Sequence, residues 1–171
     1  MNKACAWCNK DLTASEEYTS EGDISHGICT QCAIKLTRSK PRTAKELLRF
    51  VREPVFVINS DGIMKAANNS GLKMIGKDMG EIEDALGGDA FECSYASLEG
   101  GCGNTEHCKT CTIRNAVMDT LSTGNGYRNI PAFQSINTSE GPKIFRFYIS
   151  TEKVEECILL RIDKAEEVDK A

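Results

Sequence analysis

The chain has 171 residues, of which 40% are apolar and 27% charged, with a net charge of −4. That suits one well-packed domain with a small appendage, and excludes both two full-sized domains and extensive disorder. It has no apolar run near the roughly 20 residues of a membrane span, no secretory-signal core at Met1–Cys5, and no basic excess, residues 1–40 carrying five basic and five acidic side chains, so a cytoplasmic chain without a membrane or nucleic-acid partner is expected.

Nine cysteines in a reducing compartment point to metal ligation before a disulfide framework. Eight of them form two local groups of four, leaving Cys157 over. The first group is Cys5-Ala6-Trp7-Cys8, then Cys29-Thr30-Gln31-Cys32. A two-residue spacer lets a tight knuckle aim both sulfurs at one ion, and two knuckles complete a tetrahedral zinc shell. The stretch between them is too polar for a core, so metal binding would supply the folding energy of residues 1–36. A structural zinc staple is expected at Cys5, Cys8, Cys29 and Cys32. His26 is an alternative ligand, although a histidine beside a knuckle more often hydrogen-bonds nearby backbone.

Residues 37–42 read as a polar linker. Thr43-Ala44-Lys45-Glu46 has capping-box spacing, and Leu47, Leu48 and Val51 share a face, which predicts a short helix from Thr43. A strand over 54–59, a turn at Ser60-Asp61-Gly62 and a strand over 63–67 predict a hairpin. Asn68 or Asn69 caps a helix ended by Gly76, and another helical piece near 79–86 is broken by Gly87-Gly88. Ile113, Ala116, Val117 and Leu121 predict a helix stopped by Gly124. Three strands follow, over 127–136, 143–151 and 156–163, and residues 164–171 are expected to fray.

The second cysteine group, Cys93, Cys102, Cys108 and Cys111, lies in a loop over 88–112. Gly100, Gly101 and Gly103 permit the turns that bring distant thiols inward. Cys108 and Cys111 fall at a predicted helix N-terminus, which favours thiolate. Zinc, an iron–sulfur cluster and reversible disulfides all remain open for this set. His107 reads as a solvent-facing neighbour of the cluster and Cys157 as a buried inert thiol. Alternation places Arg146 opposite Phe145 and Phe147, facing solvent, and leaves Arg114 undecided. The thioredoxin-like reading of Cys108-Lys109-Thr110-Cys111 lacks the preceding strand. The sequence has no Ser/His/Asp set, phosphate loop or paired catalytic carboxylates, so no enzymatic activity is expected.

The order helix, hairpin, helices, β-meander, with Pro54-Val55-Phe56-Val57-Ile58-Asn59-Ser60-Asp61-Gly62 opening the hairpin, resembles a PAS sensor domain over about residues 44–163. The segment Phe91-Glu92-Cys93 to Cys108-Lys109-Thr110-Cys111 resembles a cysteine-containing PAS variety of bacterial two-component and related sensors. The N-terminal cysteines are similar to a short module attached to such proteins. The resemblance implies an α+β fold: a five-stranded antiparallel sheet with helices on one face over 43–163, enclosing a pocket whose ligand the sequence leaves unknown. It also implies signal relay through a partner protein or homodimer. A redox or oxygen sensor using the PAS cysteines is the first alternative, and a nucleic-acid-binding accessory protein, disfavoured by charge, the second.

Overall fold

The computed structural model describes the strand segments 2–5 and 24–27, the single positions 10, 29, 31 and 48, and the continuous run 51–168. The chain divides into two compact units, 1–43 and 44–171. In the first, β1 (Asn2–Cys5) pairs in parallel with β2 (Ile24–Gly27), from Asn2 opposite Ile24 to Cys5 opposite Gly27. Cys29 is buried. Cys8, Cys32 and the linker 37–42 lie outside the described residues, as do the side chains of Cys5 and His26, so the first quartet is not assembled from what is described.

The second unit is built on a five-stranded antiparallel sheet in the order β4-β3-β7-β6-β5, with helices across one face, as the resemblance implies. The strands are β3 (Val55–Ile58), β4 (Met64–Ala67), β5 (Ile130–Thr138), β6 (Gly141–Val154) and β7 (Cys157–Val168). The helices are α1 (Asn69–Ile75), α2 (Met79–Ile82), α3 (Gly87–Ala90) and α4 (Thr112–Thr123), with a 3₁₀ turn at Glu106–Thr110. α4 crosses β5, β6 and β7, while α1 and α2 cover the β3–β4 end.

Alternation explains the core. Phe56, Ile149, Ile158, Leu160 and Ile162 point to the helical face, where Met64, Ile82, Phe91, Ala116 and Val117 close over them. Val55, Val57 and Leu159 point the other way and pack with Leu48 and Val51. β3, an inner strand of the sheet, is thus buried on both faces, which is why it reads as an unbroken apolar run. Leu48 is helical, in line with the predicted helix, whose start at Thr43 lies outside the described residues.

One polar side chain fastens this arrangement. Asn68 caps α1 by accepting from the Gly71 N–H at 2.8 Å, and its Oδ1 also accepts from Val55 N–H at 3.0 Å. Its Nδ2 donates to the Val51 and Glu53 carbonyls at 3.0 and 2.8 Å. A buried amide with every bond made stabilises, where one left open would cost.

Three expectations need correction. Residues Lys164–Val168, expected to fray, continue β7 and pair with residues 144–148. Their charges are matched across the strands, Arg146 to Glu166 and Lys143 to Glu167, so a segment that reads as solvated tail is an ordered strand. Gly87-Gly88, expected to break a helix, begins the helical turn α3. Cys157, expected to be buried, is half-buried at the start of β7 beside Leu159. Among the described residues no helix is long and apolar enough to cross a membrane.

Candidate thiol-lined cavity

Phe91 is the root of the cysteine loop. Its ring packs 4.8 Å from Phe56 and 6.2 Å from Phe147, centroid to centroid, which pins the end of α3 to the sheet. From there the chain runs through Cys93 and a set of glycine turns, Gly100, Gly101 and Gly103 all having φ between +71° and +97°, a region open to glycine at no steric cost. It returns in the 3₁₀ turn carrying Cys108 and enters α4 through Cys111, its N-cap residue.

This path brings Cys93, Cys102, Cys108 and Cys111 onto the wall of one cavity of about 460 Å³. Ile58, Met64, Val117 and Leu160 supply its apolar floor, and Arg114, Asn104 and His107 its polar rim. The thiols are close enough to feel one another: Cys93 and Cys108 both raise the pKa of Cys102 and of Cys111. Among the described residues, no three or more His, Cys, Asp or Glu side chains are drawn together at metal-coordinating range. The four sulfurs share a chamber without closing on a point.

Amide donors point at the sulfurs. Gly88 N–H donates to Cys102 Sγ at 3.1 Å, and Gly103 N–H to Cys108 Sγ at 3.1 Å. The Thr105 hydroxyl lies 3.2 Å from Cys108 Sγ. A Cβ at Gly88 would fall 2.7 Å from Cys102 Sγ, so any larger residue there forces the cysteine side chain to move.

The electrostatics separate the thiols. Burial pushes Cys102 up, with the Gly88 amide opposing it and neighbouring Cys108 and Asp89 adding to the rise. Burial also pushes Cys111 up, and the amides of Arg114 and Ile113 offset this only in part. At Cys108 burial acts upward too, yet the Thr105 hydroxyl, the Gly103 amide and the Arg114 charge outweigh it, and its pKa falls. Only Cys111 occupies the expected helix N-terminus, and there desolvation wins over the amides, while Cys108 lies in the preceding 3₁₀ turn and owes its favoured thiolate to Thr105, Gly103 and Arg114 instead.

His107 is exposed, as expected, but its ring stacks on Tyr95 with centroids 3.8 Å apart. Arg114 is exposed at the cavity rim, near Gly103. Arg146 lies on the sheet's outer face, half-exposed and paired with Glu166, as alternation predicts. Sequence reasoning passed over Gln134, whose Oε1 is buried with no hydrogen-bond partner and which lines the same cavity. Alternation from buried Ala132 to Ile136, packed against the core, would have flagged a polar residue at an inward position.

The donor types, four sulfurs with N–H groups aimed at two of them, are those a soft metal takes, while the sulfurs stand apart along the chamber wall.

No family model matches the chain. No curated protein matches it either. Solved structures similar to it include a PAS domain from Desulfitobacterium hafniense, at 17% identity over 72% of this chain and 100% of that one, with a TM-score of 0.42. The LOV protein of Rhodobacter sphaeroides is similar at 15% identity over 74% and 65%, TM-score 0.45. The PAS domain of a nitrogen regulation protein from Vibrio parahaemolyticus is similar at 10% identity over 72% and 98%, TM-score 0.46.

Proposed function

We propose that residues 44–168 are a signal-sensing PAS-type module, that the protein works as a cytoplasmic adaptor without catalytic activity, and that Cys93, Cys102, Cys108 and Cys111 hold a soft metal at its cavity. The observation that carries this reading is the convergence of four thiols, distant in sequence, on one chamber beside the core. Zinc is the first candidate, as a tie between the loop and α4. An iron–sulfur cluster is the second, and would add sensitivity to oxygen or redox state. Unpaired Gln134 offers the same chamber a polar contact for a small ligand. Cys5, Cys8, Cys29 and Cys32 are assigned a structural zinc, and output passes to a partner protein or a second copy of the chain.

Metal analysis of anaerobically purified full-length protein tests this. Zinc, iron and acid-labile sulfide are counted per chain, in the wild type and in Cys108→Ser. About two zinc per chain, or about one zinc together with the iron and labile sulfide of one cluster, with the second site's metal lost in the variant, supports the reading. Metal content unchanged by Cys108→Ser, or a wild-type protein without zinc or iron, rejects it.

A further inference from the structure

The cysteine loop is tied to the sheet as well as to the cavity. Glu92, Cys93 and Ser94 lie along the outer edge of β5, an edge strand of the sheet. Cys93 stands opposite Ile136 in an isolated antiparallel bridge. Ser94 N–H donates to the Ser135 carbonyl at 2.8 Å, Asn137 N–H donates to the Glu92 carbonyl at 2.8 Å, and the hydroxyls of Ser94 and Ser135 are 3.0 Å apart. These three residues therefore cap polar groups that an edge strand otherwise presents to any added strand.

The same three residues are held from the thiol side. Cys93 N–H donates to the Gly88 carbonyl at 2.8 Å, and Gly88 N–H donates to Cys102 Sγ. Lys77 forms an ion pair with Glu92. Glu92 itself sits at φ +56°, an uncommon conformation for a residue with a side chain, directly after the pinned Phe91 ring. None of the three is fully buried. The segment is held by polar bonds on both sides, with little apolar burial, which is the signature of a part that opens at low cost.

We propose that Glu92–Ser94 is a strap whose closure on the edge of β5 reports the state of the thiol chamber. Its functional meaning rests on the sensing role proposed above, while the mechanical link from Cys102 through Gly88 to the strap stands on its own bonds. A change at Cys102 shifts Gly88, Gly88 holds Cys93, and the residues flanking Cys93 decide whether positions 135–137 are capped or open. Coupling of this kind is reciprocal: loosening the strap must loosen the thiols.

Residue-resolved hydrogen exchange on the full chain tests the link. In Cys102→Ala, the Ser94 and Asn137 amides are expected to exchange at least about fivefold faster, the ratio one lost hydrogen bond supports, with the Leu160 amide unchanged. Unaltered protection at Ser94 and Asn137 overturns the strap. Should Cys102→Ala fail to fold, Asn137→Pro decides. It deletes the donor to Glu92, on the edge of β5 facing away from β6, and proline is tolerated on edge strands. Iodoacetamide is then expected to modify Cys93 and Cys102 about fivefold faster, and an unchanged rate overturns the proposal. The metal count separates the two readings. A metal-free protein whose strap amides still respond to Cys102→Ala loses the metal assignment and keeps the strap, and a metal-loaded protein whose strap amides do not respond loses the strap alone.

Discussion

The sheet core and the cysteine loop, neighbours through Phe91, are held by different physics. Leu160, Ile158 and Phe56 are almost wholly withdrawn from water, and removal of apolar area from solvent keeps them there. Residues 92–111 bury only Thr105 and Cys108. They are shaped by glycine turns, amide-to-sulfur bonds and one aromatic stack. The first kind of region resists change in proportion to the volume removed. The second is held by a few polar bonds, so the loss of any one of them is a larger share of what keeps it in place.

Breaking the first region should cost the most. Leu160→Ala is expected to destabilise the domain by about 2–5 kcal/mol, read by chemical denaturation, because a buried leucine leaves a cavity. A loss below that range would mean the sheet core is less tightly packed than described. Asn68→Ala removes four side-chain hydrogen bonds and the cap of α1, and is expected to cost about 2–4 kcal/mol. Asn68→Asp should fare no better, since its second carboxylate oxygen would face the Val51 and Glu53 carbonyls where the amide donates.

Gly88→Ala belongs to the second region. The added methyl meets Cys102 Sγ, and the expected cost is about 1–3 kcal/mol. Its distinguishing sign is faster alkylation of Cys102, whereas Leu160→Ala should raise thiol reactivity only through global unfolding. A finer test uses pH. In chelator-treated protein, the midpoint of the alkylation pH profile should lie below that of a free thiol for Cys108 and above it for Cys102 and Cys111. Thr105→Ala should move the Cys108 midpoint upward, because the hydroxyl that favours its thiolate is gone. Arg146→Ala is expected to change stability least, its pair with Glu166 being solvent-screened on the outer face, and a large loss would show that face to be covered in solution.

Much of the sheet was legible because its signals are local: the Asp61-Gly62 turn, the Asn68 cap, the Gly76 and Gly124 stops and the alternation around Phe147 each mark one boundary. What escaped was decided at a distance. Lys164-Ala165-Glu166-Glu167 looks like a solvated tail until Arg146 and Lys143 are placed opposite it. Gly87-Gly88 reads as a helix breaker because nothing nearby in sequence announces the sulfur of Cys102 overhead. That Cys93, Cys102, Cys108 and Cys111 line one chamber follows the glycine placement, but the spacing does not draw them to one point, and the lowering at Cys108 against the rise at Cys102 and Cys111 depends on Thr105, Gly103 and burial. Gln134 was missed because a lone polar residue in a strand gains meaning only once the chamber it faces is known. The first quartet cannot be compared in this way, since Cys8, Cys32 and the side chain of Cys5 lie outside the described residues.

The Asn68 amide has a consequence for how motion enters the domain. It grips the chain at Val51 and Glu53 with one end, and the root of β3 and the first turn of α1 with the other. Twist or tension arriving along the polypeptide before residue 51 meets a rivet there and is handed directly to β3, the inner strand that pairs with both β4 and β7.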